Sequence, residues 1–155
     1  MESPYDEATA YHEAGHAVVA MALGRPVQRV SVLPRQEFLG VCHFGKGVFR
    51  PSKDWLEQEV LMSLAGMVAE ARRTGEYDRA AAGRDLMYVR RLAVQRAGER
   101  QADRLERRLV AKVENLLADE GHWRAVELIV AELMRCGSIS GRAAQHLFDR
   151  GVASC

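Results

Sequence analysis

The chain has little cysteine: three residues, Cys42, Cys136 and Cys155, in 155. An odd and widely spaced set supplies neither a disulfide framework nor a zinc ribbon, and it suits a reducing compartment. Long hydrophobic runs are also missing. The longest uncharged apolar stretch, Ala17 to Gly24, falls far short of the roughly 20 residues a membrane span needs. The first residues, Met-Glu-Ser-Pro-Tyr-Asp-Glu, are acidic where a secretory signal would be basic and then greasy. A dominant charge is absent too. Lys and Arg number 22 against 21 Asp and Glu, a net +1, so no strong pull toward nucleic acid or anionic lipid is indicated. No Gly-x-x-x-x-Gly-Lys-Ser/Thr phosphate loop occurs, and Gly45-Lys46-Gly47 is not one. No repeat, linker or low-complexity stretch divides the chain. The expectation is one cytoplasmic domain over residues 1–155, with no membrane span and no nucleic-acid partner.

What is present is enough for a core: 48% hydrophobic and 28% charged residues. Residues Tyr5 to Leu23 predict a helix that is apolar nearly all round and therefore central, stopped by Gly24 and Pro26. Val27 to Pro34 and Leu39 to Phe44 have strand-like spacing and predict a small hairpin or sheet. Ser52 is read as the cap of a helix over 53–74 that ends at Gly75. After a polar loop, Glu76 to Gly83, helical periodicity resumes at Arg84 and runs past a break near Gly98. Further helices are predicted from His122 to Arg135 and, capped by Ser140, to about Arg150. Trp123 and Phe148 read as core. The arginines between Arg84 and Arg108 alternate with Asp and Glu and read as a salt-bridged, solvated face.

The chemistry concentrates in His12-Glu13-Ala14-Gly15-His16. Residues four apart on a helix share a face, so both imidazoles can reach one Zn²⁺. Glu13 is not needed as a ligand and stands where it can take a proton from the water that zinc activates, then pass it to a leaving amine. The plain alternative is two surface histidines on an amphipathic helix. Against it, the motif falls on the most apolar helix, where unpaired polar groups are costly. A catalytic zinc needs a third protein ligand and one open position. No donor lies between Ala17 and Leu23, which excludes the three-histidine pattern of metzincins. His43, Glu70, Asp78 and Asp85 remain, and spacing alone does not choose between Glu70 and Asp85. Asp85 could equally be an ordinary first-turn acid. Cys42 reads as a buried thiol.

Tyr11-His-Glu-Ala-Gly-His-Ala-Val-Val-Ala resembles the start of the peptidase domain of FtsH-type zinc proteases, which are membrane-bound and ATP-dependent. The likeness continues in order through Val30-Ser-Val-Leu-Pro-Arg35 with Leu39-Gly40, Leu64-Ala-Gly-Met-Val-Ala-Glu70-Ala, Thr74-Gly75 and Ala82-Gly-Arg-Asp85-Leu. It is weaker from Trp123 to Phe148. The resemblance implies an α+β fold, mostly α-helical: a zincin-like metal helix, a small early β element and a C-terminal helical bundle. It implies one Zn²⁺ per chain on His12, His16 and Asp85, with Glu13 as base and Glu70 holding an imidazole from behind. It also implies a substrate-pairing strand edge at Val32, Leu33, Leu39 and Gly40. Arg84 stands where that family has Asn, and it is read as pointing to solvent. Met1 directly before the peptidase pattern suggests a stand-alone protein lacking the motor. The function expected is ATP-independent hydrolysis of peptides or unfolded protein, with a homo-oligomer or a partner ATPase as the assemblies to look for. The competing reading is a zinc-containing binding or regulatory module without turnover.

Overall fold

A computed structural model describes residues 3–33, 41–44 and 54–154. Helix α1 spans Glu7–Ala22 and starts where the Asp6 side chain accepts the Thr9 N–H at 3.0 Å. Every residue from Tyr11 to Met21 except His12 is buried, because a helix with no polar face is stable only when other elements surround it. Strand β1 follows at Val27–Ser31 and β2 at Val41–Phe44. Helix α2 runs from Trp55 to Thr74 and ends on Gly75 at φ +91°, a left-handed cap that glycine adopts without strain. Its N-cap is Asp54, whose Oδ1 accepts the Glu57 N–H at 3.0 Å; the expected cap, Ser52, lies outside the described residues.

Helices α3 (Gly83–Ala97) and α4 (Glu99–Ala118) are separated at Gly98, whose φ +81° and ψ 164° turn the chain sharply. Helix α5 spans Glu120–Cys136 and α6 Gly141–Ala153, the latter capped by Ser140 as its sequence predicts. Between them sits a strand that periodicity does not reveal, β3 at Ser138–Ser140. Three residues are too few to show alternation. The sheet order is β2-β1-β3, antiparallel throughout, with Val30 opposite both Cys42 and Ile139. The start of α6 lies so close against β1 that a Cβ on Gly141 would collide with the Val27 carbonyl oxygen.

The architecture is therefore α+β and mostly helical, as expected. One continuous core runs from Ala10 on α1 through Leu64 on α2, Leu109 on α4 and Ile129 on α5. The aromatic residues expected inside it are only half-buried. Trp123 stacks on Tyr11 at 5.8 Å under the Arg72 guanidinium, and Phe148 stacks on His122 at 6.0 Å. Among the described residues, no helix is long and apolar enough to cross a membrane.

Helices α1 and α2 meet backbone to backbone. A Cβ on Gly15 would stand 2.5 Å from Ala69 Cβ and 2.6 Å from the Ala65 carbonyl oxygen. Glycine inside a helix costs roughly 1 kcal/mol relative to alanine, and here the close crossing requires it. That crossing carries the functional side chains.

Candidate metal centre

Three side chains from two elements converge above this crossing. His12 Nε2 lies 3.0 Å and His16 Nε2 3.1 Å from the same oxygen, Oδ2 of Asp85. The two imidazoles stand edge to face with ring centres 4.7 Å apart. The i, i+4 spacing on α1 puts them on one face, and Asp85 arrives from the first turn of α3. Helix α3 has no side-chain cap. The turn before it is shaped by Asp78, whose Oδ1 accepts the Ala81 N–H at 3.0 Å and whose carbonyl accepts the Ala82 N–H at 3.3 Å. Asp78, one of the sequence candidates for a ligand, is thus engaged in building the turn.

The far nitrogens of both rings have partners. His16 Nδ1 donates to the Met62 carbonyl at 2.7 Å, and His12 Nδ1 faces Glu70 Oε2 at 3.4 Å. Each contact orients its ring and leaves Nε2 toward the shared centre. Space at that centre comes from Gly66. A Cβ there would lie 2.5 Å from His16 Nε2 and 2.6 Å from His12 Nε2, so any larger residue would push the imidazoles away. Sequence reading places Gly66 within a motif but assigns it no role. Its signal is a glycine interrupting the strong helical pattern of Leu64 to Ala71, which implies a close approach.

The charges are strongly coupled. Burial opposes protonation of His12, but hydrogen bonds to Asp85 and Glu70 and the nearby Glu13 and Asp85 carboxylates raise it from 6.5 to about 10. His16 is also raised: burial again opposes the cation, and the bond to Asp85 and its negative charge outweigh it. Asp85 loses solvation, yet hydrogen bonds from both imidazoles hold its carboxyl well below the ordinary 3.8. Glu13 is only 6% exposed, and burial pushes its carboxyl up against the pull of His16 and His12.

This donor set fits a zinc ion. Two imidazole nitrogens and a carboxylate oxygen are zinc's preferred ligands at about 2.0–2.2 Å, which puts neighbouring ligand atoms roughly 3.3 Å apart in a tetrahedron. The three atoms here lie within 4.8 Å of one another. Two carboxylate–imidazole separations are already close to the required spacing, and among the described residues no fourth His, Cys, Asp or Glu joins the group.

Other expected site residues separate from it. Val32 is buried and its N–H donates to the Gly137 carbonyl at 2.9 Å, while the Leu33 N–H goes to Ser31 Oγ at 3.1 Å. Both amides thus have acceptors within the chain. Leu39 and Gly40 lie outside the described residues, as do the side chains of Cys42 and His43. Arg84 is exposed beside Asp85.

Known proteins resemble this chain over part of its length. Residues 1–99 match the family model described as Peptidase family M41. An ATP-dependent zinc metalloprotease FtsH from Magnetococcus marinus is 46% identical over 66 residues, covering 40% of this chain and 10% of that protein. A chloroplastic ATP-dependent zinc metalloprotease FTSH from Capsicum annuum is 36% identical over 94 residues, covering 56% of this chain and 14% of its own length. ATP-dependent zinc metalloprotease FtsH 3 from Synechocystis is 35% identical over 94 residues, with 56% and 15% covered. The chain therefore spans only about a tenth to a seventh of the curated relatives it matches.

Proposed function

The chain belongs to peptidase family M41, and from that premise we propose that it is a zinc-dependent endopeptidase for peptides or unfolded polypeptide, whose cleavage step itself uses no ATP. The convergence of His12, His16 and Asp85 over Gly66, with Glu13 buried beside them, carries this reading. His12, His16 and Asp85 would hold one Zn²⁺. When bound, zinc supplies a Lewis acid that polarises a carbonyl and brings the pKa of water down to about 7.

The remaining work belongs to the protein. Met62 and Glu70 keep the two imidazoles turned inward. Glu13 takes a proton from the attacking water and delivers it to the nitrogen of the departing peptide. Its buried setting raises its proton affinity above that of a solvated carboxylate, which suits a base that must later act as an acid. A structural zinc is normally closed by four protein ligands; three donors among the described residues and an adjacent carboxylate favour turnover over a purely structural or regulatory role.

Substrate pairing by strand addition supplies affinity through the main chain without demanding a sequence. We place it on β2, an edge strand among the described residues, rather than on Val32 and Leu33. Nothing in Glu13's chemistry needs nucleotide. A partner ATPase or a homo-oligomer would serve delivery, and the working location is the cytoplasm.

The test combines metal analysis with cleavage of unfolded casein by the natural chain and by Glu13→Gln. One zinc per chain is expected in both, with cleavage lost on chelation and lowered by about 10²–10⁴-fold in Glu13→Gln. Equal cleavage by both proteins would defeat the role of Glu13. Zinc bound with no cleavage by the natural chain would establish the binding module instead.

A further inference from the structure

The charges of this chain are unevenly placed. Between Arg84 and Lys112 the sequence holds nine Lys or Arg and four Asp or Glu, against 22 and 21 in the whole. That segment is net positive by five, and the remainder is net negative by four. Several arginines of the fold pair with carboxylates: Arg25 with Glu59, Arg73 with Glu7, Arg79 with Glu106, Arg90 with Asp103 and Arg96 with Asp54. On α4 four arginines without such a partner stand together. Arg100, Arg104, Arg107 and Arg108 are all exposed and, among the described residues, have no ion pair with a carboxylate. The acids that could have served them, Asp103 and Glu106, are turned to Arg90 and Arg79. The salt-bridged face expected from sequence is therefore only half present.

The four side chains share one face of the helix, since residues three and four apart are neighbours. The opposite face buries Ala102, Leu109, Val113 and Leu117. Like charges at i, i+4 destabilise a helix, so Arg100, Arg104 and Arg108 form a ladder that α4 holds against its own repulsion. At 1.5 Å per residue the ladder is about 12 Å long, the reach of about four residues of extended chain. The Arg107 end borders a cavity of about 330 Å³ that it shares with Met67 and Tyr77. Met67 follows Gly66, and Tyr77 belongs to the segment leading to Asp85.

We infer that this ladder is an exosite that recruits acidic segments of unfolded polypeptide to the peptidase. The inference rests on the peptidase reading above and adds a substrate class to it. Charge complementarity selects the occupant. A single extended acidic chain matches the length and narrowness of the ladder. Nucleic acid fits less well, because Tyr77 is a single aromatic beside the ladder and none lies between Glu99 and Glu114 for successive bases to stack on, and the whole chain carries only +1.

The test uses the full zinc-loaded chain and two unstructured substrates with the same scissile sequence, one preceded by a run of Glu and one by the same run of Gln. The expected result is a kcat/KM about tenfold higher for the Glu substrate at low salt, with the preference collapsing at about 0.5 M salt. R100Q/R104Q/R108Q should abolish that preference. This variant removes like-charge repulsion, so its helix content and melting temperature should hold. R124Q/R142Q, at exposed positions on α5 and α6, should keep the preference. A Glu substrate cleaved no faster than the Gln substrate, or a preference surviving in the ladder variant, overturns the exosite.

Fluorescence anisotropy with the Glu peptide separates this from failure of the peptidase reading. Peptide bound through the ladder but not cleaved sinks the peptidase and keeps the docking surface. Cleavage without Glu-dependent binding does the reverse. A single-stranded oligonucleotide that binds the ladder more tightly than the Glu peptide overturns the assignment to acidic polypeptide.

Discussion

Gly66 leaves open the volume in which the metal-facing edge of His16 stands: a Cβ on that glycine would lie 2.5 Å from His16 Nε2. The neighbouring His12 Nε2 would be 2.6 Å away. The helix that buttresses the site is thus cut back to bare backbone where the imidazoles point.

Gly66→Ala should therefore damage the centre more than the fold. Alanine favours the helix by roughly 1 kcal/mol over glycine, while overpacking costs about 1–3 kcal/mol, so the chain should remain folded. The imidazoles must tilt away, and zinc affinity should fall at least about tenfold. Competition with a chromophoric chelator measures this, and unchanged affinity would refute the packing argument.

The two histidines should respond differently to changes behind them. His16 is held by the Met62 carbonyl, which no side-chain substitution removes. His12 depends on Glu70. Glu70→Ala should lower zinc affinity by about 10–100-fold, and Glu70→Gln, which keeps an acceptor oxygen, should recover part of the loss. Identical affinities for the two variants would show that His12 is oriented by something else.

The metal-free chain should be stable over a bounded pH window. His12 is raised from 6.5 to about 10, so its contribution is complete below 6.5 and lost as pH rises through about 10. Asp85 is depressed below 3.8, so its contribution is present above that value and lost as pH falls past it. Melting temperature in chelator should decline on both sides of this interval. Zinc requires deprotonated imidazoles, so its binding at neutral pH should release protons and strengthen as pH rises. Calorimetry in buffers of different ionisation enthalpy measures the release. A melting temperature that stays flat from about pH 6 to about pH 10 without metal would contradict the charge coupling.

Gly98→Ala should destabilise without touching the site. Its φ of +81° with ψ 164° is a conformation that side chains resist, yet nothing lies within 4 Å of the added Cβ. The cost should be about 1–3 kcal/mol from backbone strain alone, read as a lower melting temperature with zinc affinity unchanged.

Local signals make much of this molecule legible. The apolar α1, the break at Gly98, the stop at Gly137 and the Ser140 cap follow from propensity and backbone geometry, which act within a turn or two. The pair His12 and His16 is equally clear, because helical periodicity alone puts both rings on one face. The rest depends on distant chain segments. Asp78 and Asp85 stand two residues either side of the small-residue run Ala80 to Gly83, and only the fold turns one into a turn and the other toward the imidazoles. Strand β3 exists because β1 offers it an edge, and that same pairing takes the Val32 amide away from any substrate. Gly66 acquires a role only where α1 crosses α2. Sequence determined which elements form and which rings could share a metal; tertiary structure decided which acid meets them, the space between them and which arginines go without a carboxylate, since each depends on contacts between residues far apart in the chain.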